Sequence, residues 1–355
     1  MDKTEMMFKE LTEANGISGF EDEVADLMAS YVSDVATVTH DNLGSLVAEK
    51  KGKSDSPRVM IAGHMDEIGF MVKSVTKEGF IKFLPIGGWW GHVALAQRVM
   101  VRTRKGDFVG VIGSKAPHVL KPDERKKVLE ISDMYIDVGA AGKFDVKKNL
   151  GVRPGDPIVP ISEFTVLGNK KTYAAKAWDD RIGVATVIDV LHKIGKAHPN
   201  TVYGVGTVQE EVGLRGARTS SSLVDPDVAF AIDVTIATDT PGCDGAGEDL
   251  GSGAGIMVMD GSAIPSRRLR DFVIDVAEKE KIPYVLTALS RGGTDSGTIQ
   301  FNKSGVPCLT FVVPSRYIHA HVGVIHRKDY DSLVKLLTAV VKRLDAKTVK
   351  SLTRR

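Results

Sequence analysis

Thr201-Val-Tyr-Gly-Val-Gly-Thr-Val208-Gln209-Glu210-Glu211-Val212-Gly213 reads as an apolar strand, Thr201 to Val208, running into a loop that opens on two adjacent carboxylates. Within a strand, successive side chains face opposite ways. Where the backbone turns at a strand end, two neighbouring glutamates can take different tasks, one binding a metal and the other holding a water. The same pattern recurs along the chain. Arg58 to Gly63 is a short apolar strand that delivers His64 and Asp66, Val228 to Asp233 ends on an acid, and Pro307 to Val313 precedes Arg316-Tyr317-Ile318-His319. Asp179-Asp180 opens an apolar helix, Asp180 to Ile194, after Ala177-Trp178. Strand and helix alternate, so the fold class is α/β, a mixed or parallel sheet flanked by helices. Such sheets collect their functional residues at strand ends.

Met7 to Glu13 and Glu21 to Val32 carry helical periodicity. Arg267 to Lys281 and Tyr330 to Leu344 are read as later helices covering the sheet. Between them the pattern changes. Phe70 to Val75, Phe80 to Leu84, Arg98 to Thr103 and Phe108 to Ile112 are strand-like runs separated by turns such as Lys-Glu-Gly and Lys-Gly-Asp. Residues 70–167 are therefore expected to form an inserted β domain, with residues 1–69 and 168–355 making the α/β domain around it.

Composition narrows the function classes. With 355 residues and 43 % hydrophobic content, the chain can bury a large core. Lys and Arg total 47 against 45 Asp and Glu with no basic, aromatic-rich stretch, so nucleic acid is not expected as a partner. The acidic and basic residues of Met1 to Ala14 fit no signal peptide and no segment reaches membrane-spanning length, so a cytoplasmic location and no membrane partner are expected. The only cysteines, Cys243 and Cys308, cannot build a thiolate zinc site, so any metal must be held by His and carboxylate. Gly242 to Gly255 is glycine-rich, but it leads into the strand-like Ile256 to Met259 rather than a helix, so no nucleotide cofactor is read there.

Each acidic or His site has a structural reading when taken alone. Asp179-Asp180 suits a helix start, Glu210-Glu211 a solvated loop, and His64 a histidine satisfied by a nearby carboxylate. Five such sites bordering apolar segments of one α/β chain point instead to a shared metal cleft. Imidazole plus carboxylate suits Zn²⁺, Co²⁺ or Mn²⁺, and a bridging carboxylate permits a pair of ions. Glu210 is the candidate general base. No Gly-X-Ser-X-Gly elbow, His-Glu-X-X-His helix or Walker loop is present.

The strings Gly63-His-Met-Asp-Glu-Ile-Gly-Phe70, Lys176-Ala-Trp-Asp-Asp-Arg181, Val208-Gln-Glu-Glu-Val-Gly-Leu-Arg-Gly-Ala217, Gly292-Gly-Thr-Asp295 and Arg316-Tyr-Ile-His319 resemble the M42 family of metallo-aminopeptidases, most closely its glutamyl members. The resemblance implies a di-zinc exopeptidase type of α/β domain with an inserted, barrel-like β domain used in dimerisation, and assembly into a tetrahedral dodecamer. It further implies two divalent ions per subunit. His64 and Asp233 would bind one, Glu211 and His319 the other, and Asp179 would bridge them, Asp180 being the second choice. Asp66 would orient His64, Glu210 would act as base, and a cis peptide would follow Asp179. The implied substrates are short peptides with a free N-terminus. Arg291, Gly293, Thr294 and Asp295 are expected near the substrate side chain, and Arg215, Arg291 and Arg316 suggest a preference for Glu or Asp unless they are structural ion pairs. Leucyl or broad specificity is the alternative. A cellulase-type glycoside hydrolase, a label some family members carry, would leave the histidines without a task. His92, His321 and His326 are read as packing or surface residues.

Overall fold

The computed structural model describes residues 1–243 and 247–353. Within Gly242 to Gly255, residues 244–246 lie outside the described residues.

Strands β1 (Thr37–His40), β2 (Leu46–Lys51) and β3 (Arg58–His64) begin a large sheet. The chain then leaves it through β4 (Gly69–Val75), β5 (Ile81–Ile86), β6 (Arg98–Thr103), β7 (Gly106–Gly113), β8 (Tyr135–Asp137) and β9 (Pro157–Pro160), which close into a barrel in the order β4-β5-β8-β7-β6-β9. Closure leaves the barrel no free edge. Inside it pack Phe70, Val72, Ile81, Phe83, Val99, Val101, Ile112, Ile136 and Ile158. The chain returns through β10 (Thr165–Val166) and β11 (Thr172–Ala175) and continues with β12 (Thr201–Thr207), β13 (Val228–Ile236), β14 (Ala254–Met259), β15 (Tyr284–Ala288), β16 (Cys308–Arg316) and β17 (Gly323–His326). The large sheet runs β1-β2-β12-β3-β13-β16-β17-β11-β10, with β14 paired to both β15 and β16.

The centre of this mixed sheet is parallel. β12 pairs with β3 so that Thr207 stands opposite His64, β13 pairs with β3 up to Ala231 opposite Ala62, and β13 pairs with β16 in parallel. These strands are buried along almost their whole length, which is why they read as continuous apolar runs. Asp233 differs from expectation. It sits inside β13, because pairing with β16 carries the strand on to Ile236 opposite Ser315.

The helix Trp178–Lys193 is apolar on nearly every side, with Ile182, Val184, Val187, Ile188, Val190 and Leu191 buried. It lies between the sheet and the helices Lys3–Glu13 and Arg327–Val341. Gly63 allows this close approach, since a Cβ on it would sit 2.5 Å from the Gly183 carbonyl carbon, while a Cβ on Gly183 would strike the Asp180 carboxylate instead. The N-terminal helix is closed by an Asp2 and Glu5 capping box. Its Phe8 meets Trp178, Tyr173 and Tyr330 edge-on at 5.4, 5.8 and 4.8 Å, each pair worth about 0.5–1.5 kcal/mol beyond area burial. Among the described residues, no helix is long and apolar enough to cross a membrane.

Candidate metal centre

Residues from three neighbouring strands converge where β3, β12 and β13 stand side by side. His64 closes β3, Glu210 and Glu211 follow β12, and Asp233 lies on β13. His64 Nδ1 faces the Asp66 carbonyl oxygen at 3.0 Å and the Asp66 carboxylate at 3.4 Å, which turns Nε2 toward Asp179 Oδ1 at 3.0 Å and Glu210 Oε2 at 3.8 Å. His319, in the loop after β16, presents Nε2 to Asp179 Oδ2 at 3.4 Å and Glu211 Oε2 at 3.6 Å. Its Nδ1 donates to the carbonyl of Gly88, in the barrel loop after β5, at 2.7 Å. Asp179 thus offers one oxygen to each histidine.

The neighbouring acid is occupied otherwise. Asp180 is fully buried, and its oxygens accept from the amides of His64 at 3.1 Å and Gly183 at 2.9 Å. The Asp179–Asp180 peptide is cis, as expected, and both residues depart from helical angles, so the regular helix begins only after them.

The acid turn after β12 is held through its backbone. Gln209, in the left-handed region at φ 56°, donates its amide to Glu21 Oε1 at 2.9 Å. Glu210 N donates to Asp66 Oδ1 at 2.9 Å and Glu211 N to Asp66 Oδ2 at 3.1 Å, while Ser18 Oγ donates to Asp66 Oδ2 at 2.6 Å. Beneath the site, Lys176 and Arg181 converge on Glu67, and Arg181 also donates to the carbonyls of Leu11, Ala14, Gly16 and Met65.

Electrostatics favour a cation here. Burial, then repulsion from Asp233 and other acids, pushes the Glu210 carboxyl well above its ordinary value even against the pull of His64. Burial and Asp179 raise Glu211 to about 8, and the same two causes hold Asp233 high. Glu211 Oε1 is buried with no hydrogen-bond partner. Ligand atoms of His64, Glu210 and Asp233 lie within 4.8 Å of one another, as do those of His64, Asp179 and Glu211. Carboxylates packed this closely suit divalent ions that would replace protons as their partners.

The expected substrate residues are less uniform. Arg316 is held by both oxygens of Asp239, at 2.8 and 2.5 Å, and Arg215 donates to the Gln209 side chain at 3.1 Å. Arg291 and Gly293 are exposed, and Arg291 makes no ion pair among the described residues. Thr294 and Asp295 are buried. Thr294 Oγ1 donates to Asp260 at 3.0 Å, and Asp295 accepts from Thr207 at 2.5 Å. His92 meets Trp90 edge-on, His321 meets Trp89 edge-on, and His326 caps the helix Arg327–Val341. Sequence reading missed Ser18, Glu21 and the Glu67–Lys176–Arg181 cluster. These are joined to their partners only by folding, and nothing in their local spacing marks them.

A family profile described as M42 glutamyl aminopeptidase matches residues 44–336, and a second, described as AMPT, matches residues 2–28. The glutamyl aminopeptidase of Lactococcus lactis subsp. cremoris is 34 % identical, covering 96 % of each chain. The lysyl aminopeptidase of Pyrococcus furiosus is 35 % identical, covering 95 % of this chain and 96 % of that one. Among solved structures, the TET aminopeptidase of the marine sediment archaeon Thaumarchaeota archaeon SCGC AB-539-E09 is 47 % identical with a TM-score of 0.96, covering 99 % and 100 % of the two chains. The Pyrococcus horikoshii TET1 peptidase, which can assemble into a tetrahedron or a large octahedral shell, is 33 % identical with a TM-score of 0.85, covering 96 % and 100 %.

Proposed function

The chain belongs to the M42 peptidase family and is an aminopeptidase of the hydrolase class, and from that premise we propose that it removes N-terminal residues from short peptides with the help of two divalent ions. The observation that carries this reading is Asp179, whose two oxygens face His64 and His319 separately while Glu210 stands beside them. His64 and Asp233 would hold one ion, Glu211 and His319 the other, with Asp179 between. Asp180 is unsuited to bridging because its oxygens are committed to two backbone amides. Zn²⁺ or Co²⁺, and by chemistry also Mn²⁺, matches this donor set. Bound ions would supply Lewis acidity at the scissile carbonyl and lower the pKa of a water.

The chain's own groups do the proton work. Glu210 Oε takes the proton of the attacking water and returns it to the leaving amine nitrogen, so the peptide C–N bond breaks and no net proton is consumed in the exchange. Asp66 keeps the His64 ring turned toward the centre and, through the amides of residues 210 and 211, fixes both acids.

We place Arg291 and Gly293 next to the substrate side chain, with Thr294 and Asp295 supporting that turn from behind. Among the described residues neither Arg291 nor Arg215 has a carboxylate partner, Arg215 being held only by the Gln209 side-chain amide, and Arg291 is the exposed one with no side-chain hydrogen bond, so an acidic N-terminal residue is the favoured substrate, while the glutamyl and lysyl names of the relatives leave broad specificity as the rival. Residues 70–167 are proposed as the dimerising insertion, except that β10 pairs with β11 in the large sheet and so goes with residues 1–69 and 168–355 in the catalytic unit. Assembly into a tetrahedral dodecamer is proposed from the likeness to the TET1 peptidase.

The test is hydrolysis of aminoacyl chromogenic substrates, free and N-acetylated, by chelator-stripped protein reloaded with Zn²⁺, Co²⁺ or Mn²⁺. Metal-restored cleavage of free-amine substrates, best for glutamyl, is expected. Equal cleavage of acetylated substrates would overturn the exopeptidase reading, and faster leucyl cleavage would overturn the acidic preference.

A further inference from the structure

We propose that Glu21, on the loop between the first two helices, is a positioning residue that holds the backbone of the acid turn and thereby aims the Glu210 carboxylate. The proposal rests on the reading of Glu210 as general base. It concerns a residue outside the 44–336 segment that the M42 profile matches and inside the 2–28 segment matched by the AMPT profile.

Three consecutive amides, those of Gln209, Glu210 and Glu211, point toward carboxylates brought from elsewhere in the chain. Asp66 takes the last two, and Glu21 alone takes the first, at 2.9 Å. That first amide belongs to a residue with φ 56°, a conformation that costs a side-chain-bearing residue about 1–2 kcal/mol and persists only where neighbours enforce it. Glu210 follows directly, so relaxation at Gln209 rotates the peptide plane that sets the base's direction. Misplacement by about 1 Å of a group engaged in the chemistry can cost about 10²-fold in rate.

The acceptor is itself rigidly mounted. Glu21 is 6 % exposed, and its Oε1 also receives the Gly19 amide at 2.8 Å. Its carbonyl starts the helix Asp22–Val32 by accepting from Val24 and Ala25. The preceding loop is tied down where Gly16 O accepts from Glu67 N at 2.9 Å and from Arg181 at 3.2 Å. Ser18 of the same loop reaches Asp66. The loop thus touches the acid turn twice, once directly and once through Asp66, without supplying a metal ligand. Arg215 grips Gln209 from the other side through its side-chain oxygen, but it leaves the amide to Glu21.

The experiment compares wild type, Glu21→Met and Glu21→Gln as metal-loaded holoenzymes. Met fills the volume without an acceptor, and Gln retains an oxygen in place of Oε1. Three quantities are read: kcat and KM on a free-amine glutamyl chromogenic substrate, metal content per chain, and deuterium exchange of the peptide spanning Val208 to Gly213. Glu21→Met should lose about 10- to 100-fold in kcat with KM within about threefold, bind wild-type amounts of metal, and exchange faster in that peptide. Glu21→Gln should restore both kcat and protection. Wild-type kcat and exchange in Glu21→Met would overturn the proposal, as would equal impairment of both variants accompanied by metal loss. If wild type itself is inactive with every metal, the aminopeptidase reading fails, and the exchange data still decide whether Glu21 holds the turn.

Discussion

Replacing Glu67 by Gln should destabilise the protein by about 3–5 kcal/mol, the usual effect of removing one partner from a buried ion pair. Glu67 accepts from Lys176 Nζ at 2.5 Å and from Arg181 Nη2 at 3.3 Å, and all three side chains are at most 4 % exposed. Gln keeps the shape and one acceptor oxygen but leaves two buried cations with no anion in contact. The share of the loss that falls on Lys176 has a ceiling, because Lys176, unlike Arg181, can give up its proton. Doing so at pH 7 rather than near 10.4 costs at most about 4.6 kcal/mol, at 1.36 kcal/mol per pH unit. Burial already lowers the Lys176 pKa in the native protein, with Glu67 opposing it. An unfolding entropy of about 2.1 cal/mol/K per residue gives about 0.75 kcal/mol/K for this chain, so Tm should fall by about 4–7 °C.

The penalty should also depend on pH. In the variant, a neutral folded Lys176 faces an unfolded chain whose lysine is protonated below about 10.4, so the unfolded state binds one more proton. Stability of the variant therefore rises with pH, and the gap to wild type should narrow by up to about 2.7 kcal/mol between pH 7 and pH 9. Urea unfolding of both proteins at the two pH values measures this. A Tm loss under about 2 °C at pH 7, or a gap equal at both pH values, would refute the view that Glu67 is the counter-charge.

Two further outcomes test the assigned roles. Glu210→Gln should retain wild-type metal content by elemental analysis while kcat drops by about 10²- to 10⁴-fold, and a fully active variant would mean that another group moves the proton. Asp179→Ala should lose metal and, by size-exclusion chromatography, shift toward smaller species, whereas normal metal content would remove Asp179 from the bridge.

Most residues of the candidate centre were legible because parallel strands ending in polar residues deliver them to one edge. His64, Glu210 and Glu211 stand beside the ends of β3 and β12 as their patterns implied. The preference for Asp179 over Asp180 came from the family resemblance and not from the local sequence. Adjacent acids look alike in a sequence, and only the backbone path shows that Asp180 turns inward to the His64 and Gly183 amides. Arg316 likewise depends on Asp239, a partner 77 positions away. The helix Arg215–Val224 escaped notice because Gly, Thr and three serines weaken its helical signal, and its burial is decided by contacts with the sheet and the helix Ser296–Ile299. Glu21 reaches Gln209 across 188 positions, a distance at which no periodicity speaks.

The hydrogen bond from His319 to the carbonyl of Gly88 constrains the insertion. Gly87 and Gly88 belong to the barrel's loop, and a Cβ on either would stand 2.9 Å from Glu211 Oε2 or His319 Nδ1 respectively. The insertion therefore cannot be exchanged as a free-standing cassette. A graft that kept the barrel's outer surface but altered this dipeptide would unseat a histidine encoded more than two hundred positions later, so any remodelled insertion must carry those two glycines along.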